Sequence, residues 1–397
     1  MPVAKTSKFV LLQGREKACV MRIVVSGYYG CGNTGDEAVL AGIKTSFART
    51  NQKVTLTALS QNPAETTALH GLPSVNRMSL AEVRQTLREA DLLISGGGSL
   101  LQDTTSLQSL LYYLWVMRMG FSAGIPVMMY AQGIGPLRRA MSRRLVRTVA
   151  NRTSAITVRD EPSADLLKKI GVTYPTIEVT ADPAFALTPA DARIAEAILR
   201  AEGVPTHKPL IGLSLRPWGG TGESPLSNYA KLIDLLALKT GTQIVLISMH
   251  QPSDHTFAKS VVEQTAHPES CSLLTGNYTP QELLAVVGKM STVVAMRLHA
   301  LIFAARMTVP AFALSYDPKV ESLMALLGLE DCVESWRSFD PEETAERIVE
   351  VFREKEVHSS SLAARLPLLE ASALRNAERA LSLGERRLDT LKTLISR

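Results

Sequence analysis

A cation and an imidazole stand two positions apart in the segment MRLHALIFAA, residues 296–305, as Arg297 and His299. They follow an apolar run and open an apolar helical pattern, which predicts a position at the end of a buried strand. A charge there is costly unless it is paired or faces a ligand. A lone histidine on an apolar face is usually a core residue, but this one lies two positions from an arginine. The pair predicts an anion site with His299 as the general acid/base.

Further cations end other predicted strands. The next strand ends in SYDPK, which brings Lys319 to the same sheet edge. Arg159, in TVRDEPS, has acidic neighbours, so a structural ion pair competes with ligand binding there. Arg216, in LSLRPW, has no acid before Glu223 and is assigned to ligand binding. Arg139 ends AQGIGPLRR and is followed by three more arginines in eight positions, a pattern that fits a solvated face and an anion site equally well.

The glycine-rich loop GYYGCGNTGDEA, residues 27–38, follows a predicted strand and opens a helix. Backbone amides at such a helix start can hold an anion, and the candidate ligand-binding residues are Gly30, Asn33 and Gly35. A turn followed by a helix cap is the simpler alternative, but a cap rarely needs four glycines. Asp36, or its neighbour Glu37, is a candidate to orient or deprotonate a hydroxyl group of the ligand.

A second loop, SGGGSLLQD at residues 95–103, repeats the arrangement after the next predicted strand. Gly97 and Gly98 would let a ligand or a crossing helix approach the backbone closely. Asp103, one turn further on, is a second candidate for the role proposed for Asp36. Both loops are expected at the carboxyl ends of strands, where ligands of open parallel sheets bind.

Short aliphatic runs alternate with stretches of helical spacing from Met21 onward, which predicts an α/β fold with parallel sheets. We expect two Rossmann-like doubly wound domains that face a cleft, followed by C-terminal helices. The predicted strands are Arg22–Ser26, Val54–Leu59, Asp91–Ser95, Pro126–Ala131, Ala155–Arg159, Ile177–Thr180, Leu210–Leu215, Gln243–Met249, Cys271–Leu274, Thr292–Met296 and Pro310–Ser315.

The predicted domains are an N-terminal extension (1–20), a first domain (21–190), a second domain (205–340) and C-terminal helices (341–397). The chain of 397 residues is 46% hydrophobic and 20% charged, which excludes a fibre or a disordered protein. A net charge of +5 without a dense basic face that carries aromatic residues argues against nucleic-acid binding. No run is long enough to span a membrane.

The four cysteines, at 19, 31, 271 and 332, are too scattered for a disulfide framework or a metal site, so we expect a reducing cytoplasm and no metal. The N-terminal extension lacks the cleavage site of a signal peptide.

Taken in order, these motifs resemble the polysaccharide pyruvyl transferase family, and most closely its bacterial cell-wall branch, the CsaB proteins. The likeness runs from about Met21 to SYDPK and does not reach the N-terminal extension or the tail. It is carried by the segments GYYGCGNTGDEA, SGGGSLLQDTTS, AQGIGPL, VRDEPS, ADPAF, MRLHALIFAA and SYDPKV.

The resemblance implies a GT-B-like fold and transfer of pyruvate from phosphoenolpyruvate, a co-substrate, onto a sugar as a ketal, with release of phosphate and no cofactor. It implies as acceptor an N-acetylmannosamine unit, ketalised at positions 4 and 6, on a lipid diphosphate at the inner membrane face, hence peripheral contact with the membrane. Arg297, His299, Lys319 and an arginine after AQGIGPL would form the donor site. The second domain would bind the donor, the first the acceptor, and the two would close on each other.

Two other functions remain open at this point. A nucleotide-sugar glycosyltransferase of the same architecture would share the glycine loops and the cleft, but would need a pocket for a base and a ribose. A glycan-binding module would keep the fold without the chemistry, although binding alone requires no titrating imidazole among cations.

Overall fold

The computed structural model describes residues 20–104, 106–217, 226–337 and 339–395, with 386–395 described by backbone alone. The predicted N-terminal extension therefore lies outside the described residues except for Val20. In the first domain, seven parallel strands are arranged in the order β3-β2-β1-β4-β5-β6-β7. They are β1 (Met21–Tyr29), β2 (Val54–Ser60), β3 (Ser74–Asn76), β4 (Leu92–Gly96), β5 (Val127–Gln132), β6 (Ala155–Val158) and β7 (Ile177–Val179).

Helices connect these strands and cover the sheet. They are α1 (Thr34–Ala48), α2 (Pro63–His70), α3 (Leu80–Glu89), α4 (Leu107–Ser122), α5 (Ala140–Ala150) and α6 (Glu161–Lys169). Most begin with a side-chain cap: Asn33 accepts a hydrogen bond from the Gly35 amide at α1, and Asp160 from the Ser163 amide at α6. A short 3₁₀ turn, Pro183–Ala186, ends the domain.

The second sheet has six parallel strands in the order β10-β9-β8-β11-β12-β13. They are β8 (Leu210–Ser214), β9 (Gln243–Leu246), β10 (Cys271–Leu273), β11 (Thr292–Ala295), β12 (Ala311–Ser315) and β13 (Val333–Ser335). The helices are α7 (Ala192–Ala201), α8 (Leu226–Thr240), α9 (Ser253–Val262), α10 (Pro280–Val287), α11 (Leu298–Arg306), α12 (Pro318–Leu327), α13 (Pro341–Arg353) and α14 (Lys355–Ile395), with a 3₁₀ turn at Pro268–Ser270.

The predicted architecture of two parallel-sheet α/β domains followed by C-terminal helices is confirmed, and each predicted strand is present. The sequence analysis missed β3 and β13, which have three residues each and lie at an edge of their sheets. Neither carries the apolar run that marks a buried strand, because an edge strand needs fewer apolar neighbours.

Strand order reverses between β1 and β4 in the first sheet and between β8 and β11 in the second. Loops after such neighbouring strands diverge to opposite faces of the sheet, which leaves a crevice at its carboxyl edge. The glycine-rich loops after β1 and β4, and the arginines after β8 and β11, therefore stand at the two crevices.

The two domains already touch through backbone and small side chains. The amide of Thr34 donates to the carbonyl of Met249 (2.8 Å), and the amide of Gln251 donates to the carbonyl of Gly32 (3.0 Å). Ala38 and Ala41 of α1, with the 3₁₀ turn Pro183–Ala186, belong to the same apolar cluster as the second-domain core. The two domains therefore contact each other at the floor of the cleft.

The long helix α14 returns from the second domain to the first. Ala377, Ala380 and Leu381 pack in the first-domain cluster that holds β1, a partner that the sequence analysis did not predict. None of the described helices combines the length and apolar character needed to cross a membrane.

Gly42 sets how closely α1 approaches the 3₁₀ turn, since a Cβ there would overlap the carbonyl oxygen of Pro183. Glycine-to-alanine changes inside helices ordinarily stabilise by up to about 1 kcal/mol. We expect Gly42→Ala to lower the free energy of unfolding by about 1–3 kcal/mol instead, because the helix must shift. Denaturant unfolding measures this free energy. A variant more stable than the unaltered protein would show that α1 can move away from Pro183 without loss of stability.

Candidate active site

The loops at the carboxyl edges of the two sheets enclose a cavity of about 400 Å³ between the domains. The first domain contributes an acid and a cation, and the second domain contributes three cations and two imidazoles. The predicted site residues that line it are Asn33, Gly35, Asp36, Gly98, Arg159, Arg216, Arg297, His299 and Lys319. Residues far apart in the chain are therefore gathered around one space large enough for a small ligand.

His299 stands in the first turn of α11 with its side chain 14% exposed. Its ring lies against Gly35, where a Cβ would overlap the ring Nδ1. Its Nε2 lies 3.6 Å from Oδ2 of Asp182, beyond hydrogen-bond distance, and is buried without a hydrogen-bond partner among the described residues. A ring nitrogen that is held in place but makes no hydrogen bond can exchange a proton with a ligand.

Asp182 is the residue beneath His299, and the sequence analysis gave it no role. Its Oδ2 accepts a hydrogen bond from Nη1 of Arg159 (2.9 Å), and its Oδ1 accepts one from the amide of Ala184 (3.0 Å). Burial opposes its ionisation, yet His299, Arg159 and the Ala184 amide together hold the pKa of this carboxyl well below its ordinary value. Asp182 is thus a fixed negative charge beside the ring of His299. In the sequence, the only indication of a role for Asp182 was its place in the segment ADPAF.

Arg297 is fixed by a carboxylate that the sequence analysis also missed. Its Nε donates to Oδ2 of Asp254 (2.8 Å), and its Nη2 donates to Oδ1 of the same residue. Asp254 is 1% exposed and also accepts the amide of His250 (3.1 Å). Because both carboxylate oxygens bind one guanidinium, the fork has a defined orientation and its Nη1 side faces away from the pair.

Lys319 and Arg216 approach the cavity from the ends of β12 and β8, which lie on either side of β11. Nζ of Lys319 lies 3.2 Å from Oδ2 of Asp317, the residue that caps α12. The guanidinium of Arg216 stacks over the ring of Tyr316 at 4.5 Å from the centroid. Arg159 adds a cation from the first domain, buried and paired with Asp182, so the structural ion pair that the sequence allowed exists beside the cavity. Cations thus come from both domains.

Asp36 is the half-buried acid of the cavity, and its carboxylate has no hydrogen-bond partner among the described residues. It lies against Gly98, where a Cβ would overlap its Oδ1. Burial, and to a lesser degree the charge of Glu37, raise the pKa of Asp36 from 3.8 to about 6, while His299 and Arg159 pull it down. Such a carboxyl can both accept and return a proton near neutral pH.

The raised pKa of Asp36 gives a stability prediction. The unfolded carboxyl ionises near pH 4 and the folded one near pH 6, so the folded state loses stability over that interval and stays penalised above it. Asp36→Asn removes this penalty. We therefore expect the change in the free energy of unfolding caused by Asp36→Asn to be more stabilising at pH 8 than at pH 4, by roughly 1–3 kcal/mol. Urea unfolding at both pH values tests this, and equal effects would contradict the raised pKa.

Asp103 and Arg139 are not brought into the cavity. Both carboxylate oxygens of Asp103 accept backbone amides, from Arg138 and Arg139 at 2.8 Å each, which lowers its pKa although burial opposes this. Asp103 therefore joins the loop after β4 to the loop before α5, in place of the predicted contact with a ligand. Arg139 is exposed at the start of α5.

Gly30 and Gly97 likewise face away from the cavity. Gly30, with φ of +69°, donates its amide to Glu37, and Gly97, with φ of +81°, packs on Val39. Both support the turn without lining the ligand space.

Glu37 supports the loop and does not face the cavity beside Asp36. Its second carboxylate oxygen lies 2.7 Å from Nε2 of His70. His70 is only 4% exposed, because it ends α2 on the side that faces α1. The sequence offered no sign of this pair, since the two residues are 33 positions apart.

His250 and Ser253 also line the cavity, with Ser253 Oγ 3.2 Å from His250 Nδ1. Burial, and then the charge of Arg297, lower the pKa of His250, so this imidazole is neutral near pH 7. Among the described residues, no group of three acidic, histidine or cysteine side chains could hold a metal ion.

Comparison with known structures identifies the fold. Similar chains include S. aureus MnaA with UDP (12% identity, TM-score 0.62, covering 90% of this chain and 94% of that one). They also include the UDP-GlcNAc 2-epimerase from Neisseria meningitidis (14%, 0.57, 91% and 99%) and the E. coli ADP-heptose LPS heptosyltransferase II (16%, 0.52, 85% and 100%). These GT-B-like neighbours confirm the predicted fold and, at such identities, the fold alone.

Comparison of sequences goes further. A curated relative, the amylovoran biosynthesis protein AmsJ of Erwinia amylovora, is 21% identical over 369 residues, which cover 78% of this chain and 87% of that protein. The profile of polysaccharide pyruvyl transferases matches residues 33–318, a span that includes the cavity residues from Asn33 to Tyr316 and ends one residue before Lys319. This chain is therefore a member of the polysaccharide pyruvyl transferase family.

Proposed function

We propose that this protein transfers pyruvate from phosphoenolpyruvate to a sugar of a cell-surface glycan as a ketal, with release of phosphate and without a cofactor. The observation that carries the proposal is the interdomain cavity, in which Arg216, Arg297 and Lys319 stand around His299 and Asp36. Family membership supports pyruvyl transfer over a nucleotide-sugar glycosyltransferase, which the sequence alone left open.

The cations suit the donor. Phosphoenolpyruvate carries a phosphate and a carboxylate, both of which arginine binds as a fork. Arg297 is held by Asp254 and Lys319 by Asp317, so these cations are positioned before the ligand arrives and lose little freedom on binding it. We assign Arg297, Lys319 and Arg216 to the donor anions, with Arg159 beside them on the first-domain side.

The reaction needs proton transfer to carbon and away from oxygen. Protonated His299 gives its proton to the methylene carbon of phosphoenolpyruvate, and an acceptor hydroxyl attacks the central carbon while Asp36 takes the hydroxyl proton. The bond from that carbon to the phosphate oxygen then breaks, and a second hydroxyl closes the ketal. His299 takes the proton of the second hydroxyl, and the proton on Asp36 leaves with phosphate. Both groups return to their starting states.

The acceptor follows from the family likeness and from the relative named for amylovoran biosynthesis. We propose a sugar with two hydroxyl groups that can close a ring, and as the specific case an N-acetylmannosamine unit of a lipid-linked precursor, ketalised at positions 4 and 6. Its lipid would place the reaction at the inner face of the membrane, in the cytoplasm. The first-domain residues Asp36, Asn33 and Gly98 would face this acceptor.

The assay mixes the protein with phosphoenolpyruvate and candidate glycans and follows phosphate release together with product mass. We expect one phosphate for each glycan that gains one pyruvyl ketal. Phosphate release without a change in the glycan, or glycan transfer that depends on a nucleotide sugar, would contradict the proposal.

A further inference from the structure

Positive charge is concentrated in one stretch of the first domain. Residues 136–172 contain nine lysines and arginines and three acids, a net charge of +6, although the whole chain carries only +5. The rest of the molecule is therefore slightly acidic. This stretch comprises α5, β6, α6 and the loops around them, and apart from Arg159 its cations do not line the cavity of the site.

These cations surround a groove. Helices α5 and α6 border an open depression of about 780 Å³, with Arg143, Arg144, Arg147 and Lys169 at its rim. Its floor is apolar and consists of Leu137, Leu166 and Ile170. Next to the rim, Met141 leaves 64% of its surface in solvent. The stretch therefore combines a cationic rim with an accessible apolar floor, which we name the basic groove.

The rim cations are not neutralised within the molecule. In the part of the chain that the structure describes, no carboxylate lies within ion-pair distance of Arg144, Arg147 or Lys169, all of which are exposed. Some lysines elsewhere in the molecule are paired, Lys239 with Glu346 and Lys289 with Glu196. The basic groove is thus a positive surface that nothing in the described chain covers.

The basic groove is attached to the rim of the active site. The loop that leads into α5 hydrogen-bonds to the loop after β4: the amide of Gly133 donates to the carbonyl of Gly98 (3.0 Å), and that of Gly135 to the carbonyl of Leu101 (2.8 Å). Asp103 fixes the same junction through the amides of Arg138 and Arg139. Gly98 itself lines the cavity.

We propose that the basic groove docks on an anionic lipid surface. Several unpaired cations spread over two helices match many anionic headgroups better than one small anion, and the apolar floor with Met141 suits acyl chains. Among the described residues, no aromatic side chain lines the groove to provide the stacking by which single-stranded nucleic acid is bound. Docking would hold the mouth of the cavity at the membrane. This inference deepens the proposed function and rests on it, because docking serves the reaction where the acceptor is attached to a lipid.

The test is co-sedimentation of the full chain with vesicles of phosphatidylcholine, with or without phosphatidylglycerol. We expect binding only to the anionic vesicles, weakening as salt rises. The triple variant Arg144→Glu, Arg147→Glu, Lys169→Glu should lose more than about tenfold in binding. A matched control, Lys53→Glu, Arg84→Glu, Arg88→Glu, changes the same charge at exposed positions of the same domain and should lose less than about threefold. Thermal unfolding checks that both fold, and Arg144→Glu alone serves if the triple does not.

Two results would overturn the proposal directly: equal losses of vesicle binding in the two triple variants, or equal binding of the unaltered protein to neutral and anionic vesicles. A third would be release of the protein from the vesicles by inorganic diphosphate at unchanged ionic strength, which would make the groove a site for a free anion. Turnover with a water-soluble glycan separates the two proposals. It should be unaltered in the groove variant, and its loss there would place the groove in the reaction machinery. Absence of turnover in the unaltered protein, with vesicle binding intact, would reject the proposed function alone.

Discussion

Alanine in place of His299 should lower the turnover number by about two to four orders of magnitude while the protein stays folded. The reason is that, among the described residues of the cavity, no other side chain has a ring nitrogen that lacks a hydrogen bond and lies beside a fixed carboxylate; in His299 this nitrogen is 3.6 Å from Asp182. The measurement is phosphate release under saturating donor and acceptor, together with thermal unfolding of the variant.

The matched control is His358→Ala, which removes an imidazole on α14. It should leave turnover within about twofold. If a well-folded His299→Ala retained nearly full turnover, His299 would have no part in proton transfer, and His250 would be the next imidazole to test.

Substitution of Arg297 by lysine should raise the phosphoenolpyruvate concentration needed for half-saturation by about ten- to a hundredfold, with a smaller effect on the turnover number. A lysine keeps the charge but cannot bind Asp254 with two donors and still present a guanidinium edge to the donor. The expected loss corresponds to one or two charge-assisted hydrogen bonds. Steady-state kinetics with phosphoenolpyruvate varied measure it.

The control for this variant is Arg193→Lys, at a side chain that is 90% exposed on α7. It should leave both constants unchanged. Because the substitution disturbs a pair with the buried Asp254, the unfolding midpoint of Arg297→Lys is recorded as well. Unaltered saturation by phosphoenolpyruvate in a folded Arg297→Lys would place the donor site elsewhere.

The sequence analysis named nine of the residues that line the cavity, because a buried strand and its carboxyl end can be recognised from local sequence. An apolar run that stops at a glycine or a charge identifies a strand and its carboxyl end, and Arg297, His299 and Lys319 stand at such ends. Partners that come from distant parts of the same chain could not be found from local sequence. Asp182 and Asp254 each fix a cavity residue from another element, and nothing in their own segments indicates that partner.

The same limit explains the residues that the structure places elsewhere. Asp103 follows a glycine loop as Asp36 does, and only the path of the neighbouring loop decides that its oxygens accept the amides of Arg138 and Arg139. Glu37 and His70 meet because α1 and α2 pack on one another. Such pairings depend on tertiary geometry that neither periodicity nor spacing encodes.

Solvent deuterium in the product tests the central claim most directly. In heavy water, transfer of a solvent-derived proton to the methylene carbon of phosphoenolpyruvate should give a ketal whose methyl group carries one deuterium, with one phosphate released per ketal. Mass spectrometry and proton NMR of the glycan report both. A glycan that gains no ketal, or a ketal whose methyl group lacks solvent deuterium, would contradict the pyruvyl transfer proposed for this cavity.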